Sequence, residues 1–287
     1  MNKTAFSPLI AGTMTWGVWG KKFDQNQMIE TLNCCIENEI STFDHADIYG
    51  EYTTEASFGK AFSESKIDRE KVQFISKCGI QTENRSGVKH YDYSFEHIVW
   101  SVENSLRNLQ TDYLDVLLLH RPSPLLQVDE IAKAVDILKS KGKILDFGVS
   151  NFTPSQIDLI QTKTKVNYNQ IQFSATHFES MLDGSLDYMQ LRNIRAMAWN
   201  PLGTIFKLDD EKANRIKKIA IDFLLKYDCE LDVLLLSWIL KHPSKILPVF
   251  GTTDKNRISK LMQATKIEME LQDWFAIWSA SLGTKVP

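Results

Sequence analysis

The sequence contains few cysteines, and none of them has the spacing of a metal or disulfide framework. The four cysteines are Cys34, Cys35, Cys78 and Cys229, with one adjacent pair and no Cys-x-x-Cys motif. Zinc-binding domains and small disulfide-stapled folds depend on regularly spaced cysteine pairs. We therefore expect reduced, buried thiols in a protein of a reducing compartment.

The sequence also lacks a long hydrophobic run and an excess of charge of either sign. Its longest apolar stretch, VLLLSWIL at residues 233–240, is too short to span a bilayer. The first residues, MNKTAFSPLIAG, show no apolar run of the signal-peptide type. The formal net charge of −3 offers no basic surface for nucleic acid or anionic membranes. These absences indicate a cytoplasmic protein with neither a membrane nor a nucleic-acid partner.

No internal repeat, low-complexity tract or Pro/Gly/Ser-rich linker divides the chain. Its 287 residues are 43% hydrophobic, which is enough to build one large core. We therefore expect a single domain over residues 1–287.

Short β-rich runs alternate with amphipathic helical segments along the chain. Several runs are apolar on both faces, as is typical of parallel strands that helices cover. Eight strand–helix pairs predict an α/β protein with a (β/α)8 TIM barrel, and a doubly wound sheet of eight strands is the alternative. The predicted strands are residues 8–14, 41–46, 72–77, 114–120, 143–150, 166–173, 195–199 and 245–251.

Local signals predict two helix starts and a C-terminal extension. Residues 153–156, TPSQ, are typical of a capping box with proline at the first helical position, and Ser94 is a candidate N-cap. The segment 266–287 lies beyond the eighth pair and is rich in aromatic residues. We expect it to form a helix packed on the barrel or an aromatic lip at one mouth.

Active sites of barrels lie at the C-terminal ends of the strands, so polar residues at these ends are the candidates. Polar groups that interrupt apolar strands are costly unless paired, which makes their collection at one pole informative. The candidates are Asp44, His45, Asp47, Tyr49, Lys77, His120, Arg121, Ser150, Asn151, Gln170, Asn200, Gly251, Thr252 and Thr253.

The stretch TFDHADIYG at residues 42–50 combines two aspartates, a histidine and a tyrosine. A metal site would need converging histidine and carboxylate ligands, usually with a second histidine in an HxH or HxxxH pattern. The six histidines of the chain show no such pair. A metal-dependent barrel hydrolase is therefore the less favoured alternative, no metal ligand is assigned, and His45 and Asp47 are interpreted as structural.

A second interpretation combines Asp44, Tyr49, Lys77 and His120. A phenol with a pKa near ~10 is a poor proton donor or acceptor at neutral pH. The Lys77 ammonium is expected to lower the pKa of Tyr49, and Asp44 is expected to keep Lys77 charged. His120 would then supply a hydrogen bond that orients a carbonyl oxygen.

Six motifs, in the order FDHADIYG, ISKCG, LLLHRP, GVSNF, YNQIQFS and AWNPLG, resemble the aldo-keto reductase superfamily and its bacterial oxidoreductase branch, as does the C-terminal LGTKVP. The resemblance runs along essentially the whole chain. It implies that Asp44, Tyr49, Lys77 and His120 form a catalytic tetrad, with Tyr49 donating a proton to an aldehyde or ketone while NAD(P)H delivers hydride. It also implies a small-molecule carbonyl substrate and a monomer. A cofactor-binding regulatory barrel with little turnover and a dehydrogenase running the reaction backwards are the alternatives.

The resemblance further implies a cofactor cradle, with Trp199 standing where the family usually has tyrosine or phenylalanine. The chain has no GxGxxG, so a Rossmann dinucleotide site is not expected. The implied cofactor residues are Gly12, Thr13, Met14, Ser150, Asn151, Gln170, Trp199, Asn200, Leu202, Gly203, Gly251, Thr252, Thr253 and Arg257.

The last of these residues leads us to expect NADPH in preference to NADH. Arg257 would pair with the 2′-phosphate and Lys255 would add charge, while residues 251–253 at a helix N-terminus offer an anion site. The chain departs from the family where Pro248 is followed by Val249 rather than lysine, and at Leu261, where the family has asparagine.

Trp16, Trp19 and Arg121 are expected to contact the substrate. The tryptophans follow the first predicted strand and favour an apolar or aromatic carbonyl compound, although they are also candidates for the core.

Overall fold

The computed structural model describes residues 6–286. The first five residues, which belong to the segment inspected for a signal peptide, and Pro287 of the C-terminal motif lie outside the described residues. The strands are β1 (Ile10–Gly12), β2 (Thr42–Asp44), β3 (Gln73–Cys78), β4 (Ile80–Gln81), β5 (His90–Tyr91), β6 (Leu114–Leu119), β7 (Ile144–Ser150), β8 (Tyr168–Gln172), β9 (Arg195–Trp199) and β10 (Leu247–Phe250).

Eight of these strands form a closed parallel barrel in the order β1-β10-β9-β8-β7-β6-β3-β2. The register places Gly12 beside Asp44 and Ser150 beside Gln170, so polar ends of neighbouring strands lie together. The predicted (β/α)8 barrel is thus confirmed. The doubly wound alternative is wrong, because an open sheet would leave two strands unpaired along one side.

Helices fill the connections and surround the barrel. Three short 3-10 turns add to them at Arg69–Lys71, Glu179–Met181 and Met262–Lys266. The helices are α1 (Gln25–Glu37), α2 (Tyr49–Tyr52), α3 (Thr54–Ser65), α4 (Glu83–Ser86), α5 (Phe95–Leu109), α6 (Val128–Ser140), α7 (Pro154–Gln161), α8 (Ser185–Leu191), α9 (Glu211–Lys226), α10 (Leu231–Leu240), α11 (Lys255–Leu261) and α12 (Leu271–Leu282).

Alternate residues of the barrel strands face two separate apolar layers. In β6, Val116 and Leu118 pack inside the barrel, whereas Leu117 and Leu119 pack against the surrounding helices. Burial on both faces explains why this strand is a continuous apolar run. The same two-residue period places Lys77, which follows the inward-facing Ile75 by two positions, so that its side chain points into the barrel.

An antiparallel hairpin of β4 and β5 follows β3 and was not predicted. Ile80 pairs with Tyr91, and Gln81 pairs with His90. Strands of two residues are too short to show a period in the sequence. The hairpin nevertheless matters, because it brings the segment around Lys89 and Tyr91 to the mouth of the barrel.

The predicted local signals are confirmed. Thr153 and Gln156 form a capping box at the start of α7, and Ser94 caps α5. The C-terminal extension is a helix, α12, that packs against α9. Its Trp274 ring stacks on Trp238 with 4.9 Å between ring centroids. Since no residue of α12 lines the cavity at the barrel mouth, the extension is a packing helix rather than a lip.

The apolar run at residues 233–240 forms most of the buried helix α10. Within residues 6–286, no helix combines the length and the apolar character that a membrane crossing requires. The four cysteines are free; Cys35 and Cys78 are buried as expected, whereas Cys34 and Cys229 are only partly buried, so the expectation of burial was wrong for these two.

Candidate active site

Four side chains meet at the C-terminal mouth of the barrel: Asp44 from β2, Lys77 from β3, His120 after β6, and Tyr49 in the turn after β2. The Lys77 ammonium donates hydrogen bonds to Asp44 Oδ2 (2.8 Å), to the carbonyl oxygen of His45 (2.7 Å) and to the Tyr49 hydroxyl (3.1 Å). These bonds use all three donors of an ammonium group. Because the Tyr49 oxygen accepts from Lys77, the Tyr49 proton remains free to be donated into the cavity.

Protonation states in this group follow from burial and from the Asp44–Lys77 pair. Burial raises the pKa of Tyr49 above its ordinary value and outweighs the neighbouring Lys77 ammonium, which lowers it. Lys77 thus lowers the pKa of Tyr49 as predicted, but the net shift is upward, since the sequence does not reveal how completely the phenol is desolvated. Burial lowers the pKa of Lys77. The Asp44 carboxylate and then Tyr49 together raise that pKa by more than burial lowers it, so the net shift is upward. At neutral pH, Tyr49 is protonated and Lys77 is charged.

His120 lines the cavity beside Tyr49, with the two rings edge-on and their centroids 6.1 Å apart. Burial, followed by the charges of Lys77, Arg121 and Lys89, holds the pKa of His120 well below its usual value. The imidazole is therefore neutral at pH 7 and carries one N–H. Its Nδ1 atom is buried without a partner among the described residues, so the ring has spare capacity for hydrogen bonding.

A chain of hydrogen bonds connects the floor of the cavity to the tetrad. Gln170 Nε2 donates to Asp44 Oδ1 at 2.8 Å, and the Ser150 hydroxyl donates to the Gln170 carbonyl oxygen at 2.9 Å. Asn151 Nδ2 donates to Ser150 Oγ, and Trp199 Nε1 donates to Asn151 Oδ1, both at 2.8 Å. The predicted cofactor residues of three strands thus form one polar network that ends on the carboxylate of Asp44.

These groups line a single cavity of about 720 Å³, whose wall also includes residues of the loop after β1, the β4–β5 hairpin and α11. The structure brings most of the predicted residues to its wall. They are Gly12, Met14, Trp19, Asp44, Tyr49, His120, Arg121, Ser150, Asn151, Gln170, Trp199, Asn200, Leu202, Gly203, Gly251, Thr252 and Arg257.

Other wall residues were missed by sequence reasoning, mostly because they come from the unpredicted hairpin or from irregular loops, while Leu236 lies on the buried helix α10. Only Ile48 had a clear signal, as the neighbour of Tyr49 in the motif. The missed residues are Thr15, Ile48, Ile80, Lys89, Tyr91, Phe206, Lys207 and Leu236.

Trp16 is not part of the cavity wall. Its side chain is 1% exposed and packs against Phe43 and Phe58, with ring centroids 6.3 Å and 5.8 Å away. The predicted contact between Trp16 and the substrate was therefore wrong, and Trp16 belongs to the core between the barrel and its helices. The other tryptophan of this loop, Trp19, is on the wall, with its ring 6.1 Å from that of Tyr49.

Thr13 and Thr253 also lie off the wall. Thr13 is fully buried, and its hydroxyl donates to the Asp44 carbonyl oxygen at 3.0 Å and contacts His45 Nδ1 at 2.9 Å. It therefore joins the ends of β1 and β2 rather than reaching a ligand. Lys77, too, is separated from the cavity, which it influences through Tyr49.

Helix α11 offers less free positive charge than the sequence implied. Arg257 lines the cavity, but its Nε and Nη2 atoms both lie 2.8 Å from Asp232 Oδ2. Lys255 pairs with Glu30 at 2.7 Å and does not reach the wall. Both cations expected to bind phosphate are thus paired with carboxylates.

The N-terminus of α11 is already capped. The Asp254 carboxylate accepts the backbone N–H groups of Asn256 and Arg257 at 2.9 and 3.3 Å. These N–H groups are the donors that an anion would use at a helix N-terminus. The expected anion site beside residues 251–253 is therefore not supported, because a carboxylate of the chain takes that place.

The turn that carries Tyr49 has an unusual backbone. Residues 50–52 adopt φ values of 58°, 54° and 66°, and only the first of them is glycine. Glu51, within this left-handed turn, accepts a hydrogen bond from Trp19 Nε1 at 3.0 Å and another from Asn84 Nδ2 at 3.5 Å. Its carboxylate thus links the loop after β1 to the segment between β4 and β5.

No cluster of three or more His, Cys, Asp and Glu side chains that could hold a metal is present within residues 6–286. His45 is fully buried, contacts Thr13 and packs edge-on against Phe58, with ring centroids 4.4 Å apart. Asp47 donates its backbone N–H to the Lys77 carbonyl oxygen. Both arrangements fit the structural roles predicted for these two residues.

Comparison with known proteins gives one consistent result. The sequence model described as the aldo/keto reductase family matches residues 8–281. The chain is 37% identical to an uncharacterized oxidoreductase, YcsN, of Bacillus subtilis, over 98% of this chain and 96% of that protein. It is 36% identical to the oxidoreductase YdhF of Escherichia coli, again over 98% of this chain and 96% of the other.

Two further similarities bear on activity and on fold. A 6-dehydroglucose reductase of Agrobacterium fabrum is 36% identical over 89% of this chain and 88% of its own length. The crystal structure of the thermostable aldo-keto reductase Tm1743, in complex with the inhibitor epalrestat, superimposes with a TM-score of 0.81 at 22% identity. That superposition covers 98% of this chain and all of the other chain, and it supports the barrel fold.

Proposed function

The chain belongs to the aldo/keto reductase family, as the motifs predicted, and from that premise we propose that it reduces an aldehyde or ketone to the alcohol with a nicotinamide cofactor. The observation that carries the proposal is the contact between Lys77 and Tyr49. Lys77 donates to the Tyr49 oxygen at 3.1 Å, at the wall of a cavity of about 720 Å³. This geometry leaves one acidic proton on Tyr49 and places a positive charge beside the oxygen that would lose it.

The proposed chemistry uses these groups in a simple order. A bound reduced nicotinamide would supply the hydride to the carbonyl carbon. The Tyr49 proton passes to the carbonyl oxygen, so that C=O becomes CH–OH and Tyr49 is left as a phenolate. The charged Lys77 stabilises that phenolate until a proton from solvent restores the phenol. His120, which is neutral, donates its N–H to the carbonyl oxygen and orients it for both transfers.

The floor of the cavity fits a nicotinamide cofactor. Ser150, Asn151 and Gln170 present hydroxyl and amide groups of the kind that pair with a carboxamide, and Trp199 offers a flat ring for stacking. The volume lies within the ~300–1,000 Å³ typical of small-molecule sites. We propose that these residues hold the nicotinamide beside Tyr49.

We further propose that NADPH is used in preference to NADH. Arg257 lines the cavity from α11, and its Nη1 group has no hydrogen-bond or ion-pair partner among the described residues. A guanidinium can still pair with a phosphate through its remaining N–H groups. The Asp232 carboxylate weakens this preference, and its effect is open to measurement.

The proposed function is tested with the variant Tyr49→Phe and the control Tyr113→Phe, whose ring lies away from the cavity. Binding of NADPH is followed by quenching of protein fluorescence, and turnover is followed with a panel of aldehydes and ketones. Tyr49→Phe should retain nucleotide affinity within about threefold and lose reduction by about a hundredfold or more, since it removes only the proton donor. Full activity of this variant, or no nucleotide binding by the wild type, would refute the proposal.

A further inference from the structure

Two cations on the cavity wall, Arg121 and Lys89, are not neutralised by a carboxylate of the part of the chain that the structure describes. Arg121 directly follows His120 at the end of β6, and Lys89 precedes β5 in the hairpin loop. Both line the cavity, and neither forms an ion pair or a side-chain hydrogen bond with any of residues 6–286. By contrast, Arg257, which lines the cavity from α11, is paired with Asp232.

Few carboxylates lie on the wall of this cavity. Asp44 is the one carboxylate that lines this cavity on the described part of the chain. Its two oxygens accept from Lys77 and Gln170, so its charge is already used. Arg121 and Lys89 therefore give this part of the cavity an excess of positive charge. Because the cavity is partly enclosed, electrostatic interactions in it are stronger than in bulk water.

Both cations act on the reacting groups. Arg121 and Lys89 each contribute to holding the pKa of His120 below its usual value, and Arg121 also lowers the pKa of Tyr49 against the larger effect of burial. Arg121 is the residue next to His120, and both cations line the same cavity as Tyr49 and His120. An anion bound between them would thus lie near a carbonyl group held by His120.

We propose that the carbonyl substrate of this enzyme carries a carboxylate, which Arg121 and Lys89 bind while the carbonyl oxygen contacts Tyr49 and His120. This proposal rests on the carbonyl-reducing function proposed above. The planar fork of an arginine matches the two oxygens of a carboxylate, and the lysine adds a second donor. Met14, Trp19 and Tyr91 provide the apolar surface for the carbon skeleton. The expected preference for an apolar compound is thereby narrowed to an acidic one with an apolar body.

A different role for Arg121 must be separated from this one. Its guanidinium carbon lies 5.6 Å from the centroid of the Trp199 ring, which is the proposed platform for the nicotinamide. If Arg121 bound the cofactor, its removal would weaken nucleotide binding and would lower kcat/KM equally for every carbonyl substrate. A role in substrate recognition changes only the ratio between charged and neutral substrates.

The test compares 4-carboxybenzaldehyde with its methyl ester, two aldehydes that differ chiefly in one negative charge. With the wild-type protein and NADPH, we expect kcat/KM to be about tenfold or more higher for the acid. Arg121→Met and Lys89→Met should each lower that ratio by roughly fivefold or more while leaving the KM for NADPH within about twofold. Arg85→Met is the matched control, because Arg85 lies in the same hairpin segment but lines a separate cavity.

Benzoate and benzamide provide a measurement that requires no turnover of the probe. Benzoate should inhibit reduction of the ester more strongly than benzamide, and Arg121→Met should abolish that difference. Equal kcat/KM for acid and ester, together with equal inhibition, overturns the proposal and leaves the carbonyl reductase intact. A raised KM for NADPH with unchanged acid preference in Arg121→Met overturns it in favour of a cofactor role. Nucleotide binding without reduction of any carbonyl compound overturns the proposed function itself.

Discussion

The Arg257 guanidinium is held by Asp232, whose Oδ2 atom lies 2.8 Å from both Nε and Nη2. Asp232 stands in the first turn of α10 and is only 4% exposed, and its second oxygen accepts the backbone N–H of Val233. The pair therefore fixes the guanidinium in place and at the same time puts a negative charge beside it. If Arg257 binds the 2′-phosphate of NADPH as proposed, the preference for NADPH depends on how these opposite effects balance.

Removal of Arg257 should weaken the preference for NADPH over NADH, and removal of the Asp232 charge should strengthen it. Arg257→Ala should raise the KM for NADPH about tenfold and the KM for NADH less than about twofold, because only NADPH carries the 2′-phosphate. Asp232→Asn should lower the KM for NADPH relative to NADH, since the charge of Arg257 is then uncompensated. Steady-state kinetics with both nucleotides measures these ratios. Equal changes for both cofactors in Arg257→Ala would show that this residue does not contact the 2′-phosphate.

The buried pair of Lys77 and Asp44 predicts a separation of stability from activity. Lys77→Met leaves a buried carboxylate without its partner and should reduce the free energy of unfolding by ~3–5 kcal/mol. The double variant Lys77→Met with Asp44→Asn removes both charges and should recover much of that loss. Activity should stay below about 1% in both variants, because neither can stabilise a Tyr49 phenolate. Urea unfolding and turnover assays on the same samples make the comparison, and recovered activity in the double variant would contradict it.

The two tryptophans of the loop after β1 should respond oppositely to substitution. Trp16→Ala removes a core side chain and should cost ~3–5 kcal/mol of unfolding free energy, with little change in the KM for carbonyl substrates. Trp19→Leu should cost less than about 1 kcal/mol and raise that KM severalfold, because Trp19 is partly exposed on the cavity wall. Unfolding curves and kinetics with one aldehyde distinguish the two. Unequal effects in the reverse sense would place Trp16 in the pocket after all.

Glu51 should influence Tyr49 without touching a ligand. Glu51→Gln retains an acceptor for Trp19 Nε1 and should keep most of the activity. Glu51→Ala removes the link between the loop after β1 and Asn84 and should lower kcat/KM by about tenfold with nucleotide affinity unchanged. The pair of variants is assayed with one carbonyl substrate and by nucleotide titration. Equal activity of Glu51→Ala and wild type would show that the link is dispensable.

His45 predicts a defined pH dependence of stability. Burial, and then the charges of Lys77 and Arg69, hold the pKa of His45 well below its ordinary value of 6.5. Below that pH the unfolded chain binds a proton that folded His45 does not, so this residue destabilises the fold increasingly as the pH falls. The slope for one such histidine approaches ~1.4 kcal/mol per pH unit.

The measurement compares wild type with His45→Gln, in which the amide can still donate to Thr13. Asp47 and Glu55, whose pKa values burial raises, act in the opposite sense and are common to both proteins. The difference in unfolding free energy between the two should therefore shrink by ~1 kcal/mol between about pH 7.5 and pH 5.5. A constant difference would mean that His45 titrates normally in the folded protein.

The sequence was sufficient to predict the barrel and the position of the tetrad for a physical reason. Strands buried on both faces are apolar without interruption, so Asp44, Lys77 and His120 stand out at their ends. Parallel strands then bring those ends to one pole, whatever the lengths of the connecting helices.

Features that depend on depth or on distant partners were not predictable. The direction of the Tyr49 pKa shift depends on how fully the phenol is buried, which no local pattern expresses. The bond between Asp232 and Arg257 joins residues 25 positions apart on different helices. Trp16 and Trp19 are three residues apart in similar surroundings in the sequence, yet one faces the core and the other the cavity.

The left-handed turn at residues 50–52 has a consequence for attempts to redesign this enzyme. Tyr49 is the member of the tetrad that is not placed directly by a barrel strand, and its position depends on that turn and on what Glu51 joins. Exchanging the loop after β1 or the β4–β5 hairpin to change substrate range would also remove a support of Tyr49, the proposed proton donor. New specificity in this scaffold therefore requires that the two loops and the turn be replaced together, as one module.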